Sequence, residues 1–237
     1  SGELALLLLT VVLAVAALST VGFFSDRLKS GLQRDAQVLL GGDAVVASDN
    51  PVPEPIQNKV KQLGLTAVQT LSFPTMARTS PEAGEQTRLV SLKAVEPPYP
   101  LKGAMELRKG PQIASEKVKA GPDKGNVWVD TALLEVFNLK IGDTLLLGNS
   151  SFKVQAEILK EPDRGAGFAN FAPKVMMNAQ DLAATELIQP ASRISYRLAV
   201  VGNTAAILNF ENFVSENLKN TNTKVIPVPI DPRTSKD

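Results

Sequence analysis

The chain has 237 residues, of which 44% are hydrophobic and 21% charged, and a formal net charge of +1. It contains no Cys and no His. That excludes disulfides, thiolate ligands, Cys nucleophiles, the Ser-His-Asp triad and most zinc chemistry. Removing residues 1–24 takes away only Glu3 and leaves a net +2, too balanced for a nucleic-acid-binding face.

Residues 4–24 carry no charge and are dominated by Leu, Val, Ala and Phe. At about 1.5 Å per residue the run makes a helix roughly 30 Å long, which matches the hydrocarbon core of a bilayer. A spanning helix is therefore expected. Two rivals exist. A cleaved leader would fit Ala14-Val15-Ala16, but no basic residue precedes the run and it continues to Phe24. A buried core helix would be shorter and would show a polar face. The chain opens on Ser1, so a fragment of a longer protein is expected.

Beyond Phe24 the pattern turns amphipathic. Leu28, Leu32, Ala36 and Leu39 recur at helical spacing, which predicts a stalk with one buried stripe, ended by Gly41-Gly42. Residues 43–48 read as a strand and 55–63 as a helix stopped by Gly64. Residues 65–77 and 88–95 read as an antiparallel pair joined by a polar loop. The Lys-rich stretch 102–124 reads as a solvated, flexible surface. A strand over 127–129 leads to a helix over 131–137 capped by Asp130. Strands follow at 145–147, 151–158 and 174–177, then a helix over 179–187, a strand over 195–201, a helix over 204–218 and a last strand over 225–230.

The fold class is thus α+β: a transmembrane helix at 1–24, an amphipathic stalk at 25–42, and a mixed α/β domain at 43–237. The domain is expected in two lobes, 43–103 with 188–237, and an inserted β-rich lobe at 104–187.

No catalytic, cofactor or metal site is read. The serines lack a Gly-x-Ser-x-Gly elbow, and no Gly-Lys-Ser/Thr phosphate loop occurs. The carboxylate pairs Asp130/Glu135 and Glu161/Asp163 read as caps and surface charges. The most unusual segment is 161–171, Glu-Pro-Asp-Arg-Gly-Ala-Gly-Phe-Ala-Asn-Phe. Arg164, Phe168 and Phe171 form a candidate interaction loop toward a hydrophobic partner or the membrane surface. The alternative is a mobile loop whose phenylalanines tuck into the domain.

The order of these parts resembles the permease subunits of MacB/FtsX-like ABC transporters. It is similar in particular to the large permeases encoded beside a lysophospholipase-type esterase. The matching stretches are Val21-Gly22-Phe23-Phe24-Ser25-Asp26-Arg27-Leu28, Leu39-Leu40-Gly41-Gly42-Asp43, Thr70-Leu71-Ser72-Phe73-Pro74-Thr75-Met76 and Leu92-Lys93-Ala94-Val95-Glu96-Pro97-Pro98-Tyr99-Pro100. A further match runs from Ile141-Gly142-Asp143-Thr144 to Glu161-Pro162-Asp163-Arg164-Gly165.

The resemblance implies a bacterial inner-membrane protein whose residues after about 25 are periplasmic, with further spans after Asp237. It implies ATP hydrolysis in a separate cytoplasmic ATP-binding subunit, no catalysis in this chain, and no cofactor. Implied partners are that subunit, membrane lipid and a periplasmic esterase or other periplasmic protein, with no nucleic acid. The implied role is to carry ATP-driven motion to the periplasm for lipid, lipoprotein or hydrophobic substrates. A single-pass anchored periplasmic binding or scaffold module would share the same local features. A membrane-anchored hydrolase is a third reading, disfavoured by the missing His and the missing nucleophile motif.

Overall fold

The structure is a computed structural model that describes residues 2–164, 171–189, 192–217 and 224–227. The apolar run and the stalk form one unbroken helix, α1 (Gly2–Leu40), about 58 Å long at 1.5 Å per residue. Its segment Gly2–Ser25 is long and apolar enough to cross a membrane. The helix ends in a Schellman motif. Gly41 is left-handed at φ +75°, its N–H donates to Val38 O at 3.1 Å, and the Gly42 N–H donates to Gln37 O at 3.2 Å.

The expected buried stripe on the stalk is corrected: Leu28, Leu32 and Leu39 are exposed. Among the described side chains, the last turn approaches the domain, through half-buried Ala36, Gln37, Val38 and Leu40.

The domain strands are β1 (Ala44–Ser48), β2 (Thr66–Thr79), β3 (Thr87–Val95), β4 (Met105–Arg108), β5 (Glu116–Val118), β6 (Asn126–Asp130), β7 (Thr144–Leu147), β8 (Ser150–Lys160), β9 (Lys174–Asn178), β10 (Ser195–Val201) and β11 (Lys224–Pro227). They share one sheet. Its helices are α2 (Glu54–Gln62), α3 (Thr131–Phe137), α4 (Leu182–Thr185) and α5 (Thr204–Asn217). Strands and helices in this mixed order bear out the α+β class.

The pairings close on themselves. β2 pairs β3, β3 pairs β9, β9 pairs β6, β6 pairs β8, β8 pairs β7, and β7 returns to β2. This ring is a small barrel, and closure leaves none of its strands as a free edge. Pro74, which has no N–H to give, lies where it does no harm. On the side of β2 opposite β3, β10 pairs only as far as Ser72 and β7 begins at Ala77. The barrel interior holds Phe73, Leu92, Val127, Leu133, Phe137, Phe152 and Val175, among others.

Two further apolar layers lie outside the barrel. Ala44 and Val46 of β1, with Leu198 and Val200 of β10, face Ile56 of α2 and Phe210 of α5. The opposite face carries Val45, Ala199, Val68, Val95, Trp128, Met176, Tyr99, Met105 and Leu107. Strand β1 is therefore buried on both faces, which explains its unbroken apolar run.

Three element readings change. The 102–124 stretch is a solvated surface only in part: residues 111–117 are exposed, but it also supplies β4, whose Met105 and Leu107 are buried, and β5. The helix read over 179–187 is a 3₁₀ turn, Ala179–Asp181, followed by the short α4. The last strand covers Lys224–Pro227, and the remainder of that reading lies outside the described residues.

Candidate functional site

The structure brings together a site that no local motif announces, at the point where the stalk meets the domain. Asp43 leaves the Schellman turn and its N–H donates to Val200 O at 2.8 Å, starting β1 against β10. Arg197 of β10 donates to Leu40 O at 3.1 Å and so caps the last helical turn. Lys102 pairs with the buried Asp43 at 3.0 Å. The seat is made of backbone. A Cβ on Gly41 would come within 2.9 Å of Asp163 Cβ, and one on Gly103 within 2.8 Å of Pro162 Cβ and 3.0 Å of Val38 Cγ1. Glycine at 41 and 103 thus lets the stalk end lie directly on segment 161–163.

Directly behind that seat is a buried ion cluster. Lys93 of β3 donates to Glu161 at 2.7 Å and to the Tyr99 hydroxyl at 3.1 Å, and it pairs with Asp163 at 2.9 Å. Its ammonium also lies 4.8 Å from the centroid of the Tyr99 ring. The Tyr99 hydroxyl donates to Asp163 at 2.6 Å. Lys174 of β9 donates to the second oxygen of Glu161. Two lysines and two carboxylates give a neutral set, and all five residues are buried. Buried charges persist only when paired and hydrogen-bonded, as these are.

The electrostatics follow from that packing. Burial would raise the Glu161 carboxyl, but Lys93 and Lys174 outweigh it and hold the group at about 2. Burial pushes Lys174 below the ordinary lysine range against the pull of Glu161. Burial, helped by Asp163 and Glu161, drives the Tyr99 hydroxyl well above its usual range, so it stays a donor. The Lys174 backbone N–H donates to Asp130 at 2.8 Å, and the same carboxylate caps α3 by accepting from Leu133 at 3.0 Å. The cluster is thus tied to β3, β9, α3 and the stalk at once.

The segment singled out from sequence divides in two. Glu161 and Asp163, read as surface carboxylates, are 8% and 6% exposed; that reading is corrected, because the 96–107 layer covers the sheet face they meet. Arg164 is exposed, with its carbonyl accepting from Lys174 at 3.4 Å. Phe171 is 87% exposed. Phe168 lies outside the described residues. Sequence reasoning missed Lys93, Lys174 and Tyr99. The available signal was a lysine flanked on its own strand face by Ser91 and Val95.

Comparison with known proteins places this architecture. The chain shares its fold with the periplasmic region of MacB from Actinobacillus actinomycetemcomitans, with a TM-score of 0.50 at 9% identity, covering 81% of this chain and 92% of that one. It also aligns with the extracellular domain of the noncanonic ABC-type transporter YknZ from Gram-positive bacteria, with a TM-score of 0.47 at 11% identity over 78% of this chain and 100% of that one. A curated relative is the uncharacterised ABC transporter permease YbbP of Escherichia coli (strain K12), 31% identical over 219 residues and 92% of this chain. The chain spans about a quarter, 26%, of that relative's length.

Residues 4–214 match the MacB-like periplasmic core domain, and the chain belongs to that family. The resemblance read from the motifs is borne out.

Proposed function

We propose that this chain is the first span and periplasmic domain of an ABC transporter permease. In this reading α1 carries motion, driven by a cytoplasmic ATP-binding subunit, into the domain, for export or extraction of a lipid, lipoprotein or other hydrophobic compound. One observation carries the reading. A single helix runs unbroken from the apolar segment to a seat packed directly on buried side chains of the domain. A helix of that length is stiff, so a tilt at the membrane becomes a displacement at the seat. The exposed apolar side chains of Phe171, Met76 and Leu89 support a hydrophobic substrate or partner. Arg164 and Phe171 are proposed as part of that contact surface.

The test uses the full-length permease with its ATP-binding subunit in nanodiscs. Spin labels at Asp35→Cys on the stalk and Glu116→Cys on the domain report their separation. A distance distribution that shifts between nucleotide-free and turnover conditions supports the reading. An unchanged distribution in a complex that hydrolyses ATP refutes it.

A further inference from the structure

We propose that Asp163 is the detachable member of the buried cluster, and that its contact with Gly41 makes the stalk seat a two-position latch. The proposal deepens the motion-transmitting reading and rests on it.

Within the cluster, Asp163 stands apart by its contacts. Without Asp163, every other member keeps a partner. Lys93 still meets Glu161 at 2.7 Å and the Tyr99 hydroxyl at 3.1 Å, and Lys174 still meets Glu161. No other carboxylate in the cluster has this property, since removing Glu161 strips Lys174 of its carboxylate. Asp163 is also the cluster side chain that the stalk end faces, since a Cβ added at Gly41 would come within 2.9 Å of its Cβ. One residue therefore belongs to both contacts, so the free energy of one is linked to that of the other.

The two positions differ in charge as well as packing. With Asp163 in place the cluster is neutral. With Asp163 withdrawn, two lysines share one carboxylate, and the excess buried charge resists release. Lifting the stalk uncovers Asp163 on its Gly41 side and offers the carboxylate water in place of Lys93 and Tyr99. Opposition at the start and compensation at the end favour two discrete arrangements over continuous sliding. Among the described stalk side chains above the last turn, Leu28 and Leu32 are exposed and add no packing on the domain that would oppose release.

The experiment uses full-length permease in nanodiscs without nucleotide, on a background free of other reactive thiols. Maleimide labelling of Leu40→Cys reports how often the half-buried seat opens. Tyr99→Phe keeps the ring over Lys93 and removes only the hydroxyl that holds Asp163. Asp163→Asn keeps the shape and removes the charge. Each is expected to raise the labelling rate by about tenfold or more, the scale of one charge-assisted hydrogen bond. Glu116→Gln, at the exposed Lys109 pair, leaves it unchanged.

The reciprocal arm compares Gly41→Ala with Gly64→Ala. Both positions have positive φ, but only a Cβ at 41 meets Asp163. Faster amide exchange at Asp163 and Arg164 in Gly41→Ala alone supports the latch. Equal labelling rates across Tyr99→Phe, Asp163→Asn and Glu116→Gln, in proteins that still unfold cooperatively, overturn it and leave a welded seat. An ATP-driven distance change would still stand in that case. If Asp163→Asn fails to fold, Tyr99→Phe and the glycine pair decide.

Discussion

Replacing Lys93 with Met tests whether the buried charges act as a set. The substitution conserves most of the volume and deletes one positive charge in contact with Glu161, Asp163 and the Tyr99 hydroxyl. Glu161 retains Lys174, while Asp163 retains only the hydroxyl bond from Tyr99. One carboxylate is then buried without a counter-charge, a change that costs about 3–5 kcal/mol. Adding Asp163→Asn removes the orphaned charge and returns the cluster to neutrality around Lys174 and Glu161. The double variant should therefore lose only about 1–2 kcal/mol, for weakened hydrogen bonding. The coupling of about 2 kcal/mol or more between the two sites is the quantity sought.

The assay is urea unfolding followed by the fluorescence of Trp128, the sole tryptophan of the chain, which sits in the same outer apolar layer as Tyr99. At a slope of about 3 kcal/mol per molar urea, the single substitution lowers the midpoint by roughly 1–2 M and the double restores most of it. Additive losses, or a loss under about 1 kcal/mol for Lys93→Met, would show that these charges are solvated and uncoupled.

Three further outcomes are expected. Glu161 is held at about 2, against an ordinary value of 4.5. Its contribution of about 3 kcal/mol is complete above pH 4.5 and disappears as the pH falls toward 2; acid unfolding of Glu161→Gln should lack that part of the slope. Asp130→Ala removes the cap of α3 and the acceptor for Lys174 N–H, lowering stability by about 1–2 kcal/mol, where a Leu208→Ala control on the exposed side of α5 changes it by under about 0.5 kcal/mol. Phe210→Ala empties a fully buried position between α5 and the β1 face and should cost about 3–5 kcal/mol in the same unfolding assay.

The elements with strong local signals were legible in the sequence. Apolar runs gave β1 and β9, helical spacing gave α5, and the carboxylate before Thr131 gave the α3 cap. The stalk length followed from one uninterrupted pattern closed by Gly41-Gly42. What stayed hidden depends on which second layer covers a sheet face. Lys93 alternates with Leu92 and Ala94, so period-2 reasoning sends it to solvent. It is instead covered by Tyr99, from the proline-rich segment 97–100, and by the β4 layer, which arrives from a Lys-rich stretch with no strand pattern of its own. Glu161 and Asp163 were misread for the same reason, because Lys93 and Tyr99, which hold them, lie 68 and 64 residues away in the chain. Barrel closure was equally invisible, because it rests on short β7 bridging β2 and β8.

The closed ring also bears on how motion at the seat would spread. A barrel whose six pairings all close has no free strand to peel, and its buried apolar core ties the strands together, so it moves as a body. The seat does not touch the barrel interior. It touches the outer face through Lys93 on β3 and Lys174 on β9, two adjacent parallel strands of the ring. Lys174 opens β9, three residues after the exposed Phe171. In the proposed function, a displacement of Asp163 therefore reaches the Phe171 end of β9 through Lys93, Glu161 and Lys174 without distorting the barrel. An apolar seat of equal area would hold the stalk over a range of positions, since dispersion contacts have little directionality. The 2.6 Å hydrogen bond from Tyr99 and the 2.9 Å pair with Lys93 instead hold Asp163 in one geometry, and these two contacts are lost together when Asp163 leaves it.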